Sequence, residues 1–266
     1  MAPWRMVRLL LWAGLKSRLE YRVDFVMFVL QAACGNLLSF FFVWAVLSRF
    51  PNLRGWTITE LFFLFSLRLL SHGLHVVIFS GVQHIGPYVR QGDFDRILLR
   101  PFNTLVQVLL WRYNPMGLGD LITGIICFAL ATRFLGLVWT PASLGLLALI
   151  LAGACLIETA LFLAAGATAF WTTEAQRLNF FLWTLNDKYT QYPLTIYNVA
   201  VQTVLTFVLP VAFISYYPAT LFLGRMAEVP FTPVFAYVTP IVGVVCFSVA
   251  YAFWRVGLTH YQSTGS

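Results

Sequence analysis

The chain has 266 residues, of which 60% are apolar and only 10% charged, with a net charge of +7 at neutral pH. A soluble domain carries about a quarter charged residues, so a water-soluble fold of this composition would expose large apolar patches and is excluded. The basic residues are scattered between apolar runs, with no stripe interleaved with exposed aromatics, which argues against a nucleic-acid surface and for a membrane protein with a positive side.

Residues 3–23 place Trp4, Val7, Leu10, Leu11 and Leu15 at helical spacing against a basic opposite face. That pattern predicts an amphipathic helix lying in the membrane surface, not a cleavable leader. A helical span needs about 20 apolar residues. Runs at roughly 25–48, 57–82, 115–136, 142–171, 194–216 and 233–257 fit this requirement. Asp24 precedes the first run, and Pro51, Asn52 and Gly55 break the chain after it. Thr57-x-x-Glu60 is a capping-box pattern that starts the second. Residues 83–114 are polar, with several turn residues and four arginines. The third run ends near Gly136 and Pro141 starts the fourth. Residues 173–192, with Glu174, Arg177, Asn186, Asp187 and Lys188, are read as a second surface helix. Pro193 opens the fifth run, which contains Pro210. The Pro/Gly-punctuated stretch 217–232 is too short to cross and is read as dipping into the membrane and returning.

The expected fold is therefore all-α and integral to the membrane, a single domain over 1–266 with six transmembrane helices. Lys and Arg number five before the first span, four in 83–114, two in 173–192 and one at Arg255, against four in the opposite loops. This bias predicts both termini in the cytoplasm. The cysteines Cys34, Cys127, Cys155 and Cys246 all sit in apolar stretches without a CxxC pair, as inert buried thiols do. Trp44, Trp111, Trp139, Trp171 and Trp254 lie near span ends, where anchoring at the membrane interface is the default.

The most informative segment is Gln91-Gly92-Asp93-Phe94-Asp95-Arg96-Ile97-Leu98-Leu99-Arg100-Pro101. Gly92 permits a sharp turn, Asp93 can cap a short helix with Asp95 in its first turn, and Pro101 ends it. Phe94, Ile97 and Leu98 would share one face, and Arg96 and Arg100 another. Such a helix suits docking into a groove of a soluble partner. Equally, it suits a connector lying on lipid headgroups.

Gly92-x-x-Asp95-x-x-Leu98-Leu99-Arg100-Pro101 resembles the hallmark loop of type-2 ATP-binding-cassette (ABC) exporter permeases, of a six-helix bacterial branch. Leu19-Glu20-Tyr21-Arg22-x-Asp24-Phe25, Gly55-Trp56-x-x-x-Glu60, Tyr192-Pro193-x-x-Ile196-Tyr197, Leu209-Pro210-Val211-Ala212-Phe213, Tyr217-Pro218-Ala219 and the Tyr261-Gln262-Ser263 tail agree in order and spacing over nearly the whole chain. The resemblance implies a coupling helix between spans two and three, contacting a separate ATPase subunit through Arg90, Asp93, Phe94, Asp95, Arg96 and Arg100. It also implies that residues 1–24 are a connecting helix abutting that ATPase and that 217–232 is an extracellular re-entrant hairpin. The implied setting is the bacterial inner membrane, with two ATPase copies and a second permease copy or paralogue. The chain has only two lysines, Lys16 and Lys188, and neither follows a glycine as a Walker lysine must. ATP and Mg would then bind the partner, and this chain carries no cofactor or metal and is not itself an enzyme.

Ionisable residues fall inside the spans. Arg68 and Glu158 lie near the middle of theirs, where an unpaired charge costs on the order of 3 kcal/mol, so each is expected to face the bundle interior and pair with the other or nearly so. His72 and His75 lie on the Arg68 side of span two and are expected to make interhelical hydrogen bonds or to be polar lining residues, and Asp120 to pair with a basic group such as Arg112. A rival reading is a stand-alone proton-coupled transporter or channel that uses Arg68, Glu158, His72 and His75 as its proton path. An intramembrane enzyme is disfavoured because no GxSxG or HExxH pattern occurs.

Overall fold

The computed structural model describes residues 22–49, 53–110, 114–172 and 175–262, with the side chains of residue 43 and of 46–49 outside that set. The amphipathic segment 3–23 and the Arg112 partner expected for Asp120 thus fall outside the described residues, apart from Arg22 and Val23. The described chain is helical, and its sole extended pairing is an isolated bridge between Leu53 and Trp56.

The helices are α1 (Arg22–Arg49), α2 (Ile58–Phe79), α3 (Ile85–Arg90), α4 (Asp93–Leu98), α5 (Thr104–Leu110) and α6 (Met116–Leu135), then α7 (Pro141–Ala167), α8 (Ala169–Thr172), α9 (Ala175–Tyr189), α10 (Val199–Thr203), α11 (Tyr216–Phe222) and α12 (Thr239–His260). A 3₁₀ turn over Ser80–His84 joins α2 to α3, so that Ile58–Arg90 forms one apolar span of 33 residues. Among the described residues, five helices or helix runs are long and apolar enough to cross a membrane, and a sixth would come from Val199–Val208 with Val211–Phe222, a pair bent by 80°.

The chain's own chemistry sets the helix ends. Thr57 and Glu60 exchange capping bonds, Thr57 N donating to Glu60 Oε2 at 2.7 Å and Glu60 N to Thr57 Oγ1 at 3.4 Å. Thr140 and Ser143 repeat the box at the start of α7, where Pro141 stands in the first turn. Gly136 closes α6 in the left-handed region at φ 65°, with Leu137 N donating to Thr132 O at 3.0 Å.

Small residues let the long helices approach closely, as membrane bundles require. A Cβ on Gly73 of α2 would stand 2.9 Å from Leu121 N and 3.0 Å from Gly117 O of α6. On the other side of the bundle, a Cβ on Gly153 of α7 would meet Pro240 Cα of α12 at 2.6 Å. α1 packs mainly along α6 and leaves Leu30, Leu37, Leu38, Phe41 and Phe42 exposed to the surroundings.

Two segments add to the expectation. Residues 175–189 pack one face on the bundle and leave the other exposed: Ala175 packs on Gly86, Asn179 Nδ2 donates to Gln83 O at 3.2 Å, and Asp187 reaches Arg68 at 2.9 Å. α9 therefore runs antiparallel to the α2–α3 span and ends at Arg68, ten residues into α2, or about 15 Å from its start. The run 194–216 is not one straight helix. A π-helical stretch, Val204–Val208, leads to the break at Leu209–Pro210, after which the chain turns by 80°.

The turn after α11 is latched to the start of α2. Arg225 donates to both Glu60 carboxylate oxygens at 2.8 and 2.9 Å, to Gly55 O at 2.9 Å and to Glu228, with its guanidinium 4.8 Å from the centre of the Trp56 ring. Charge-assisted hydrogen bonds of this kind contribute about 1.5–3 kcal/mol each. Arg225→Gln is expected to lower the thermal unfolding midpoint of the detergent-solubilised chain by several degrees, and Arg225→Lys to recover part of that loss.

Candidate functional site

Two regions concentrate the polar chemistry: α4, beyond one end of the bundle, and a belt of ionisable side chains halfway along it.

The chain enters α4 through Gly92 at φ 74°, a left-handed conformation that costs a side-chain-bearing residue roughly 1–2 kcal/mol. Gly92 holds the cap position expected of Asp93, which is instead the first helical residue. Gln107 Nε2 ties α5 to the end of α4, donating to Ile97 O at 3.2 Å and Phe102 O at 2.8 Å. Phe94 was expected to meet a partner, but it is fully buried. Its ring lies 5.2 Å from Phe170, 5.9 Å from Trp254 and 5.0 Å from Tyr261, in edge-on arrangements. Trp254, expected at the membrane interface, is buried in the same cage. Ile97 also points inward, so the outward face of α4 consists of Arg96, Leu98, Leu99 and Arg100, with Arg90 exposed beside it. Leu99 is 84% exposed, an unusual position for a leucine between two arginines. The Arg96–Asp93 pair at 3.6 Å lies on the surface and contributes little.

Asp95 is half-buried and accepts a 2.8 Å hydrogen bond from Tyr261, just past the end of α12. Burial and the Asp95 carboxylate push the Tyr261 phenol up to about 12, so it remains a donor. A raised folded-state value means that the bond stabilises fully below the ordinary tyrosine value of 10 and fades as pH rises through 12. Tyr261→Phe keeps the ring in the cage and removes only the hydroxyl. The expected cost is about 1–2 kcal/mol, flat from pH 6 to 9 and shrinking above about pH 10, as read by thermal unfolding of both proteins across pH.

The belt differs from the pairing expected from sequence. Arg68 bonds Asp187 rather than Glu158, because α9 brings Asn186 and Asp187 in as neighbours and each takes one partner. Glu158 Oε1 instead meets His72 Nδ1 at 2.5 Å and Asn186 Nδ2 at 2.6 Å. Asp187 also accepts from Gln191 at 3.1 Å and faces Lys188 at 3.2 Å. Asp120 Oδ1 accepts from Asn36 Nδ2 at 2.6 Å, and its Oδ2 stands 3.9 Å from His72 Nε2. His75 Nδ1 meets the Thr159 hydroxyl at 3.0 Å, its Nε2 lies 3.3 Å from Gln83 Nε2, and its ring stacks on Phe162. Both histidines bridge helices, His72 from α2 to α6 and α7 and His75 from α2 to α7. Sequence reasoning did not single out Asn36, and it named Asn186 and Asp187 on a surface helix without linking them to the belt.

A cavity of about 420 Å³ opens against this belt, lined by Arg68, His72, Asp120 and Asp187 together with Asn36 and Trp183. A second, of about 560 Å³, lies towards α3.

A sequence model of the family described as ABC-2 family transporter protein matches residues 34–265. No curated protein and no solved structure matches the chain.

Proposed function

Starting from the chain's membership of the ABC-2 family of transporter permeases, we propose that it is the membrane half of an exporter driven by a separate ATPase subunit. Two permeases, identical or paralogous, would pair with two ATPase copies that bind ATP and Mg, and would move an amphipathic or hydrophobic substrate. The observation that carries this reading is the two-faced character of α4. One face anchors Phe94 in the aromatic cage under α12, and the other offers Leu99 to solvent between Arg96 and Arg100. An apolar knob with flanking guanidinium groups suits a groove on a soluble partner better than it suits water.

The sequence expectation of a six-helix layout is retained with one reassignment. α9 is taken as the rising half of the fifth crossing, and Val199–Phe222 as a re-entrant hairpin on the far side, begun earlier than 217–232. Arg225 would latch that hairpin to the start of α2. Both termini would then be cytoplasmic, in the inner membrane of a bacterium, with α4 as the coupling helix and membrane lipid around α1. The belt keeps the stand-alone proton-coupled reading in play, because the Asp120–His72–Glu158 contacts put two carboxylates beside one imidazole. Affinity purification of the tagged chain from native membranes separates the two readings. Co-elution of an ATPase chain with vanadate-sensitive hydrolysis is expected; a chain that elutes without any nucleotide-binding partner overturns the driven-permease reading.

A further inference from the structure

The span Ile58–Arg90 is longer than a bilayer needs. Its 33 residues cover about 50 Å, whereas the hydrocarbon core is about 30 Å thick. The Glu60–Arg225 latch sets a polar boundary at its first turn, so about 20 residues of core bring the opposite boundary close to Ser80. The 3₁₀ turn Ser80–His84 and α3 then stand at headgroup depth, beside the start of α9, where Ala175 packs on Gly86. The cavity of about 560 Å³ lies in that corner and is open to the surroundings. Its lining changes character along α9. Nearest α3 are Gln176 and Arg177, both exposed, with Gln83 and His84 completing the polar end. Phe180 and Trp183 follow, the latter six residues or about 9 Å beyond Arg177, and each ring is at least half exposed. Among the described residues that line the cavity, the chargeable side chains are Arg177 and His84, both basic. Asn179, on the same wall, is 8% exposed and gives its Nδ2 to Gln83 O, while its Oδ1 has no hydrogen-bond partner among the described residues. Buried acceptors are nearly always paired, so one left over on a cavity wall points to a donor that belongs there.

We propose that this cleft binds an anionic phospholipid of the surrounding bilayer, with its phosphate at Arg177 and His84 and its acyl chains along Phe180 and Trp183. The order of groups along α9, guanidinium then amide then aromatic ring, follows the order of groups in a lipid from headgroup to chain. Basic pockets between membrane helices hold anionic headgroups, and a tryptophan at the membrane interface packs where headgroup and chain meet. The open mouth suits this occupant, because the chains continue into the bilayer. A lipid seated there touches α9 and the Ser80–His84 turn together, and so holds α9 against the long span at the point where that span is interrupted. The site requires neither an ATPase nor a transported substrate, so it stands or falls apart from the driven-permease reading.

The test is native mass spectrometry of the full chain, purified in detergent and equilibrated with mixed micelles holding equal amounts of phosphatidylglycerol and phosphatidylcholine with identical chains. Phosphatidylglycerol is the probe because its headgroup adds hydroxyl donors to its negative charge. The parent chain is expected to retain phosphatidylglycerol in preference to phosphatidylcholine. Arg177→Gln is expected to reduce that preference about fivefold, the contribution of one basic residue beside an anionic lipid surface. Gln176→Glu keeps Arg177 and sets a carboxylate beside the headgroup, and it is expected to act in the same direction should the arginine variant fail to fold. Trp183→Ala removes chain contact and no charge, so it is expected to lower retention of both lipids alike. Millimolar glycerol 3-phosphate is expected to leave the lipid in place. A preference indifferent to Arg177→Gln, or to Gln176→Glu where the arginine variant does not fold, overturns the proposal. So does displacement of the lipid by glycerol 3-phosphate, which would make the cleft a site for a soluble phosphate.

Discussion

Leu99→Asp is expected to abolish co-purification of the ATPase subunit while leaving the permease folded. Leu99 is 84% exposed and lies beyond the last full turn of α4, so its replacement disturbs no core, and surface changes of this kind usually fall within about 0.5 kcal/mol of neutral. In a docked complex the same side chain would be the apolar anchor, and interface anchors typically contribute about 2–4 kcal/mol. At about 1.4 kcal/mol per tenfold, that is a loss of roughly 30-fold to several hundredfold in affinity, before the cost of burying a carboxylate is added. Arg96→Glu adds a reversed charge on the same face and deepens the loss. Asp93→Asn, whose surface ion pair is weak, serves as the contrast and is expected to retain the ATPase. Pull-down yield normalised to the monodisperse permease peak reads all three. Retention of the ATPase by Leu99→Asp would mean that α4 is a connector on the headgroups.

The second large effect is expected within the belt. Asp187→Ala strands the Arg68 guanidinium, which is 5% exposed, far from either end of the bundle. Breaking a buried pair by removing one partner costs up to about 3–5 kcal/mol, because the remaining charge loses its bonded counter-ion. Replacing both members by apolar residues of similar size is much less costly, since no charge is stranded. The double variant Arg68→Leu with Asp187→Leu is therefore expected to express and to melt closer to the parent than either single truncation. Thermal unfolding followed by size exclusion in detergent separates these outcomes. A double variant as unstable as the sum of its parts would show that the pair is not acting as one unit.

The crossings formed by α1, α2, α6, α7 and α12 were legible because each is a continuous apolar run with its own punctuation, down to the capping boxes at Thr57 and Thr140. The tertiary partners of α9 were not legible. Its buried face carries Asn179, Asn186 and Asp187 against the bundle, so the polarity of that face measures its partners, which spacing along the helix does not name. The run 194–216 was legible as apolar with Pro210 inside it, but the size of its bend, 80° after a π-helical turn, was not. α4 is only six residues long and Leu99 follows directly on it, so spacing could not tell whether Phe94 or Leu99 points inward. The aromatic cage decides it, and three of its four rings come from elsewhere in the chain: Phe170, Trp254 and Tyr261. The belt residues Arg68 and Glu158 lie in the interior, but Asp187 and Asn186, which bond them, come from α9, whose contacts the sequence did not reveal.

The account rests on force reaching the membrane domain through α4, and one cross-link tests that contact without knowledge of the substrate. Leu99→Cys, treated with a short bifunctional maleimide in membranes that contain the assembled transporter, is predicted to join the permease to the ATPase subunit, with a yield that changes when ATP and vanadate are added. A Leu99→Cys permease that stays uncross-linked in every nucleotide state, while the two subunits still co-elute, would contradict it.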